Sequence, residues 1–225
     1  MKLLANDRKK AKETVVVLAF AFLWNAGVYG GARLIAHSWP HYDMTLPVDG
    51  AIPFVPWTVA IYFGCYLVWG INYYLCAKQA QEERDRFFCT DALSKAICFL
   101  IFILIPTTNT RPEIPGEPTV WNSLMKLLYL IDSPDNLFPS IHCLVSWLCW
   151  VGVRKRKDIP AVYRSFSLSV AIAVCISTLT TRQHVIVDVV AGVALAELCY
   201  FLSGFSKVRR VYTNIMTRLF KLFKI

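Results

Sequence analysis

The sequence predicts an all-α, polytopic membrane protein with six transmembrane helices and both termini in the cytoplasm. Of the 225 residues, 56% are hydrophobic and 17% are charged, whereas soluble domains contain roughly 25% charged residues. The apolar run from Thr14 to Ala36 is long enough, as a helix, to cross a hydrocarbon core of about 30 Å. Five further apolar runs follow, at residues 57–77, 91–107, 140–153, 164–181 and 184–203.

The basic residues are distributed unevenly between the connections of these runs. Nineteen of the 24 Lys and Arg residues lie at the amino terminus, in residues 78–86, in residues 154–164 and after residue 206. Because Lys and Arg concentrate in cytoplasmic segments, we expect both termini inside the cell. The connections at residues 37–56, 108–139 and 181–183 then face outward. Of the five remaining basic residues, Arg33, Arg111, Lys126 and Arg182 are expected on the outward side, and Lys95 lies inside the third apolar run.

The net charge of +9 has a simple physical explanation in this arrangement. It reflects the topology of the chain and an attraction to anionic membrane lipids. The basic residues are not interleaved with aromatic residues in the way that is typical of nucleic-acid binding, so we expect no nucleic-acid partner. Membrane lipids are the expected surroundings.

Two amphipathic segments accompany the apolar runs. Within the second outward connection, apolar residues recur at helical spacing and predict a short helix on the outer interface; they are Val120, Leu124, Leu127, Leu128 and Ile131. Residues 207–225 alternate apolar and basic positions and predict a cytoplasmic surface anchor. The expected organisation is a six-helix membrane domain at residues 1–206 and a basic amphipathic tail at residues 207–225.

The eight cysteines are predicted to be structural. Six of them lie within apolar runs, and Cys76 and Cys89 flank one polar connection. Their spacing is not that of a metal site, and free cysteine behaves as a small buried hydrophobic residue. We therefore expect no metal ligands among them.

Three ionisable residues stand at the predicted outer ends of different helices. Arg111 follows the third run, His142 is at the start of the fourth, and His184 is at the start of the sixth. The three residues are therefore expected at one depth. Ionisable groups at membrane depth are costly, so a functional role is the first hypothesis for them.

The residues around these positions favour an anion-binding site. Asp188 lies four residues after His184, where its carboxylate can orient the imidazole as a nucleophile or base. Ser140 is placed as the N-cap of the fourth helix, whose free N–H groups would face outward and attract a phosphate. The guanidinium groups of Arg111 and Arg182 match phosphate oxygens geometrically.

Two of these segments resemble sequence motifs of one known family. Residues 139–142 read Pro-Ser-Ile-His, and residues 177–188 read Ser-Thr, five residues, His, three residues, Asp. They resemble the Pro-Ser-Gly-His and Ser-Arg-x5-His-x3-Asp motifs of the type 2 phosphatidic acid phosphatase superfamily, in order and in spacing. The resemblance covers roughly residues 105–203 and includes the expectation of six transmembrane helices.

The resemblance implies a role for each residue of the site. His184 would attack phosphorus and become a phosphohistidine, Asp188 would orient it, and His142 would protonate the leaving oxygen. The phosphoryl oxygens would be held by Arg111, Ser140 and Arg182. The resemblance implies no metal and no other cofactor.

Three positions depart from the family motifs. Leu104 stands where the first motif, Lys-x6-Arg-Pro, has lysine; Ile141 replaces the glycine of the second, and Thr178 replaces the arginine of the third. Arg182, two residues before His184, is a candidate replacement for the missing charge. A relocated basic residue of this kind is similar to the branch that includes sphingomyelin and inositol phosphorylceramide synthases and related bacterial proteins. The outer segment at residues 49–62 resembles that branch as well.

The expected function is hydrolysis of a lipid phosphate or polyprenyl pyrophosphate on the extracytoplasmic side of the cell membrane. Two alternatives stay open. The same site would support a phosphotransferase that passes the phosphoryl-bearing group to an alcohol. A non-enzymatic membrane transporter would need ionisable residues through the bilayer, where Glu197 is the main deep acid.

Overall fold

The computed structural model of the chain describes the backbone of residues 2–225 and the side chains of residues 7–225, and it is all-helical, as predicted. Met1, the first residue of the predicted membrane domain, and the side chain of Lys2 lie outside the described part. The helices are α1 (Lys2–Ala36), α2 (Val59–Ala77), α3 (Gln81–Leu104), α4 (Val120–Ile131), α5 (Ile141–Val153), α6 (Ala161–Thr180), α7 (Ile186–Leu202) and α8 (Ser206–Leu222). Short 3-10 helices cover Pro47–Ala51 and Pro56–Thr58, and the strands β1 (Tyr42–Asp43) and β2 (Thr107–Thr108) pair in parallel.

Several of these helices are apolar and long enough to indicate a membrane protein. Within the described chain, α1, α2, α3 and α6 are long and apolar enough to cross a membrane. Helices α7 and α8 together count as a fifth span if the 91° bend between them is allowed. The 13 residues of α5 rise only about 20 Å at about 1.5 Å per residue. Six spans therefore stay a prediction.

The boundaries of two apolar runs differ from the prediction. Helix α3 begins at Gln81, ten residues before the predicted run, because its polar first turns are paired within the protein. Arg84 donates to Glu13 at 2.9 Å and contacts Asp85 at 3.3 Å. Helix α1 begins at Lys2, twelve residues before the predicted run, whereas α5 ends at Val153, as predicted.

Helix α5 lies at the centre of the bundle, packed against α2, α6 and α7. Its buried residues Leu144, Val145 and Cys149 share a core cluster with residues of α1, α3 and α7. All eight cysteines are free, and seven are buried, Cys175 being the partly exposed one. The prediction that they pack as small hydrophobic residues is confirmed for those seven.

Charged residues of the helices are paired at two places. Glu197, whose side chain is 39% exposed, accepts hydrogen bonds from Arg154, at 2.5 and 3.0 Å, and from Trp147 Nε1, at 2.9 Å. Lys95 and Asp91 form a buried pair at 2.7 Å. Because an interior charge is costly until it is paired, these contacts explain how the bundle tolerates polar residues at such positions.

The amphipathic helix α8 follows α7 after a bend of 91°. Tyr212 and Met216 on one face are buried in a cluster with Phe88 and Val17. Another face exposes apolar side chains, including Val211 and Leu222, beside basic ones. A basic amphipathic helix in this region was expected, and it packs on α1 and α3.

The close approach of α7 to the start of α5 depends on Gly192. A Cβ atom at this position would lie 2.6 Å from the carbonyl oxygen of Ser140 and 3.3 Å from the amide nitrogen of Leu144. Both neighbours are backbone atoms, so the two helices would have to separate. We expect Gly192→Ala to lower stability by about 1–3 kcal/mol, as overpacking does.

The measurement is thermal unfolding of the purified protein in detergent. Gly64→Ala on α2 is the matched control, because a Cβ there meets no described atom within 4 Å. Alanine is also the better helix former, so the control should unfold at the same temperature or higher. An unchanged unfolding temperature for Gly192→Ala would contradict the close packing.

Candidate active site

The amino-terminal end of α5 forms one side of the site. Ser140 is the N-cap residue, as predicted, and its hydroxyl accepts a hydrogen bond from the amide of Cys143 at 3.3 Å. The amide of Ser140 donates to the carbonyl oxygen of Asp188 at 3.1 Å. Ser140 is fully buried, and its backbone connects the starts of α5 and α7.

His184 and Asp188 are in contact, although His184 is not on a helix. It lies in the turn before α7, two residues ahead of Ile186. The carboxylate Oδ2 of Asp188 turns back to His184 Nδ1 at 3.1 Å and also accepts the amide of Val185 at 3.1 Å. The expected pair thus forms at the start of α7. A carboxylate at this position also accepts from a free N–H group and interacts favourably with the positive end of the helix dipole.

The environment of His184 favours its charged form. Burial by itself lowers the pKa of the imidazole, but the hydrogen bond and the negative charge of Asp188 outweigh it, so the pKa of His184 lies above its ordinary value. The side chain is almost fully buried. Asp188 therefore stabilises the imidazolium ring that exists when Nε2 forms a bond.

The imidazole rings of His142 and His184 lie close together. Their ring centroids are 6.2 Å apart, and both line a cavity of about 610 Å³. His142 is in the first turn of α5. The rest of the cavity wall is largely aromatic and apolar, with Tyr29, Tyr62, Phe63, Tyr66, Trp69 and Leu128. A single group between the two rings can contact both.

Arg111 lies beside the site and is only partly paired. Its Nη2 donates to the side-chain oxygen of Gln183 at 2.5 Å, and its guanidinium carbon is 4.6 Å from the ring centroid of Tyr129. The Nε of Arg111 and the side-chain nitrogen of Gln183 are buried and have no hydrogen-bond partner among the described residues. Two donors are thus available for an acceptor that enters here.

The guanidinium group of Arg182 is engaged by backbone carbonyl groups. Its guanidinium donates to the backbone carbonyls of Asp49, at 2.7 Å, and of Ile52. The side chain of Asp49 in turn accepts the amide of Ile186 at 2.8 Å. None of the three expected phosphate ligands, Arg111, Ser140 and Arg182, is among the described residues that line the cavity. The contacts of Arg182 and Asp49 join the connection between α1 and α2 to the start of α7.

The three departures from the family motifs have different surroundings. Leu104 is 75% exposed at the end of α3, and Ile141 lines the cavity. Thr178 is fully buried; its carbonyl accepts the amides of Gln183 and His184 at 3.0 and 3.1 Å. Leu104 and Thr178 therefore bring no charge, and Arg111 is a cation with an unpaired donor, its Nε.

The sequence did not identify the tyrosines and the carboxylate around His142. Tyr62 is 3.1 Å from His142 Nδ1 and 2.7 Å from Asp132, while Tyr66 is 3.0 Å from His142 Nε2. Tyr29 donates to the other oxygen of Asp132 at 2.6 Å. The sequence offered only their positions as evidence for a role in the site. Asp132 directly follows the predicted interface helix, and Tyr62 ends the segment at residues 49–62.

The fold and the site together define a helical membrane protein whose two imidazoles, one of them on a carboxylate, face a common cavity. Residues 48–202 match the family model of the PAP2 superfamily, and the chain belongs to that superfamily. This membership suggests a phosphatase-type function on lipid phosphates. The more particular resemblance to the sphingomyelin synthase branch stays a prediction.

Two curated relatives are similar to the chain. An uncharacterized protein of Methanocaldococcus jannaschii is 27% identical over 140 residues, which cover 61% of this chain and 55% of the relative. A PA-phosphatase related-family protein of Dictyostelium discoideum is 22% identical over 233 residues, covering 85% of this chain and 42% of the relative. The matches thus span about half the length of these relatives. No solved structure matches the chain.

Proposed function

We propose that the chain is an integral membrane phosphatase that hydrolyses a lipid phosphate or a polyprenyl pyrophosphate through a phosphohistidine intermediate. The observation that carries this proposal is the 6.2 Å separation of the His142 and His184 rings at the wall of one cavity. A nucleophile and a proton donor must both reach the atoms of one ester, and this spacing allows it.

The proposed reaction has two steps. The Nε2 of His184 attacks phosphorus, and the bond from phosphorus to the leaving oxygen breaks as His142 gives that oxygen a proton. Water then attacks the phosphohistidine, giving its proton to His142 and releasing phosphate and free His184. Asp188 holds Nδ1 of His184 throughout, which keeps Nε2 directed at the substrate.

The phosphoryl group would be held by donors rather than by a metal. We assign this role to the N–H groups at the start of α5 and to Arg111, and the unpaired Nε of Arg111 and the unpaired side-chain nitrogen of Gln183 support the assignment. Arg182 would act indirectly, by fixing the connection that carries Asp49. In the transition state, these groups stabilise charge on the equatorial oxygens.

The apolar surroundings of the site favour a lipid substrate. A second cavity of about 450 Å³ shares Asn25, Tyr66 and Trp69 with the first and continues along α1 and α2. Its wall is mostly apolar, with Phe22 and Val145 among its residues. An acyl or prenyl tail would lie there while the headgroup reaches the histidines.

The proposed membrane orientation follows from charge. Six transmembrane helices, with both termini in the cytoplasm, would place the starts of α5 and α7 on the extracytoplasmic side of the cell membrane. The bias of 19 basic residues toward the opposite side supports this arrangement. Helix α5 would then span the bilayer only where its ends are recessed or the membrane is thinned.

Transfer to an alcohol is the second candidate, because a phosphohistidine can pass its phosphoryl group to water or to a hydroxyl group. The resemblance of residues 49–62 to a transferase branch, and the contact of Arg182 with Asp49 and Ile52 in that segment, favour keeping it. The transporter alternative has less support, because the deep acid Glu197 is paired with Arg154.

One experiment separates these functions. Purified protein in detergent is given a panel of lipid phosphates and polyprenyl pyrophosphates, with and without an added alcohol acceptor, beside the His184→Ala variant. We expect phosphate release that does not need the acceptor. A product that forms only with the acceptor would assign a transferase. A folded protein inactive in both arms would contradict an enzyme of this type and favour transport.

A further inference from the structure

The surroundings of His142 are built from four different helices. Tyr29 comes from α1, Tyr62 and Tyr66 come from α2, Asp132 is the residue that ends α4, and His142 is on α5. The ring centroids of Tyr62 and His142 are 4.3 Å apart, and Tyr62 is 1% exposed. Such convergence of polar side chains on one imidazole is costly to bury and requires a physical explanation.

The direction of the hydrogen bonds can be worked out from Asp132. Burial raises the pKa of its carboxyl, but His142 and the hydroxyl groups of Tyr29 and Tyr62 outweigh burial and hold the pKa below its ordinary value. The carboxylate is therefore ionised and can only accept. Tyr62 must donate its hydroxyl proton to Asp132 Oδ2 at 2.7 Å.

The same reasoning assigns the proton of the neutral imidazole. Because the hydroxyl proton of Tyr62 is used on Asp132, the phenol oxygen can only accept from His142 Nδ1, at 3.1 Å. The proton of neutral His142 is then on Nδ1, and Nε2 is directed toward Tyr66 at 3.0 Å. Tyr66 is 50% exposed, so a substrate can displace its hydroxyl group from Nε2.

We propose that Tyr62 and Asp132 are positioning residues that orient His142 and stabilise its protonated ring, so that Nε2 delivers the proton to the leaving oxygen. The inference rests on the proposed phosphatase function and extends it to residues outside the family motifs. His184 has its carboxylate in direct contact, whereas His142 reaches its carboxylate through a phenol. The intervening phenol keeps the negative charge of Asp132 one side chain away from His142.

The physical effect is on proton donation rather than on substrate binding. When Nε2 gives its proton to the leaving oxygen, the Nδ1–H bond to Tyr62 keeps the ring in place. When His142 is recharged, the negative charge of Asp132, relayed by the polarised phenol, favours the imidazolium form. Loss of the relay should therefore slow substrates that need a proton and spare substrates with good leaving groups.

The test compares two substrates on the variants Tyr62→Phe and Asp132→Asn. On a lipid alkyl phosphate, we expect kcat to fall by about 10²-fold, the lower end of the range for general-acid catalysis. On p-nitrophenyl phosphate, we expect a loss of less than about threefold. Adding His142→Ala to Tyr62→Phe should cause no further loss beyond His142→Ala alone, because residues that act as one unit are not additive.

The matched control is Tyr212→Phe. It also removes a buried phenol hydroxyl, one with no hydrogen-bond partner in the described chain, and it lies on α8. Its activity on both substrates should equal that of the wild type. Equal losses on the two substrates for Tyr62→Phe, or additive losses in the double variant, would overturn the inference.

A second measurement is independent of activity. Nitrogen-15 NMR of labelled histidine, with His142 assigned by its alanine variant among the four histidines of the chain, should show the proton on Nδ1 in the wild type. Tyr62→Phe should shift the population toward the Nε2–H form. An unchanged His142 signal would overturn the relay. If the wild type shows no turnover but Tyr62→Phe still shifts the His142 signal as expected, the proposed phosphatase function is contradicted and the positioning contact is supported.

Discussion

His184→Ala is expected to reduce turnover of lipid phosphate to background. In the proposed mechanism, no other residue can form the covalent bond to phosphorus, and removal of a covalent nucleophile in a hydrolase costs on the order of 10⁶-fold in kcat. His184 is 7% exposed and its backbone amide is bound to Thr178, so the shorter side chain leaves the turn intact. The measurement is phosphate release from a lipid phosphate in detergent.

The same variant should lose the covalent intermediate. Wild-type protein mixed with labelled substrate and quenched should retain an acid-labile, base-stable phosphoenzyme, whereas His184→Ala should retain none. His37→Ala is the matched control, because His37 lies in the connection between α1 and α2 with its side chain 73% exposed, and it should behave as the wild type does. An active His184→Ala enzyme would refute the assignment of the nucleophile.

His142→Ala is expected to slow formation of the phosphoenzyme by about 10²- to 10⁴-fold on a lipid alkyl phosphate. The physical reason is that an alkoxide is a poor leaving group and requires a proton as the bond to phosphorus breaks. A nitrophenolate leaves without one, so p-nitrophenyl phosphate should be affected least. Rapid-quench measurement of phosphoenzyme formation on the two substrates provides the comparison.

A uniform loss would give His142 a different role. If both substrates slow by the same factor, the ring would serve to bind the phosphoryl group instead of protonating the leaving oxygen. His41→Ala is a suitable control, since the Nδ1 of His41 contacts the backbone carbonyl of Trp39 in the connection between α1 and α2. That variant should leave the rates on both substrates unchanged.

Much of the fold could be predicted because membrane helices are determined by local composition. Apolar runs and the amphipathic spacing of residues 120–131 predicted α2, α4, α5, α6 and α7 to within a few residues. The starts of α1 and α3 were missed by twelve and ten residues, because hydropathy cannot detect polar turns such as those in which Arg84 pairs with Glu13.

The candidate site was predictable where its contacts are local in sequence. His184 and Asp188 are four residues apart, and Ser140 caps its own helix, so both arrangements follow from spacing. The orientation of Arg182 was not predictable. Its guanidinium binds carbonyl groups about 130 residues away in sequence, a contact that no local pattern encodes.

The sequence by itself determined that the chain is apolar and helical, the order of its helices, and the residues whose chemistry suits phosphoryl transfer. The tertiary structure alone decided that His142 and His184 share a cavity, that Arg111 contacts Gln183 whereas Arg182 binds the backbone of residues 49 and 52, and that Tyr62 contacts both His142 and Asp132. The physical reason is that hydropathy and capping act within a helix. Which side chains meet between helices depends on close packing, such as that of α7 on α5 at Gly192.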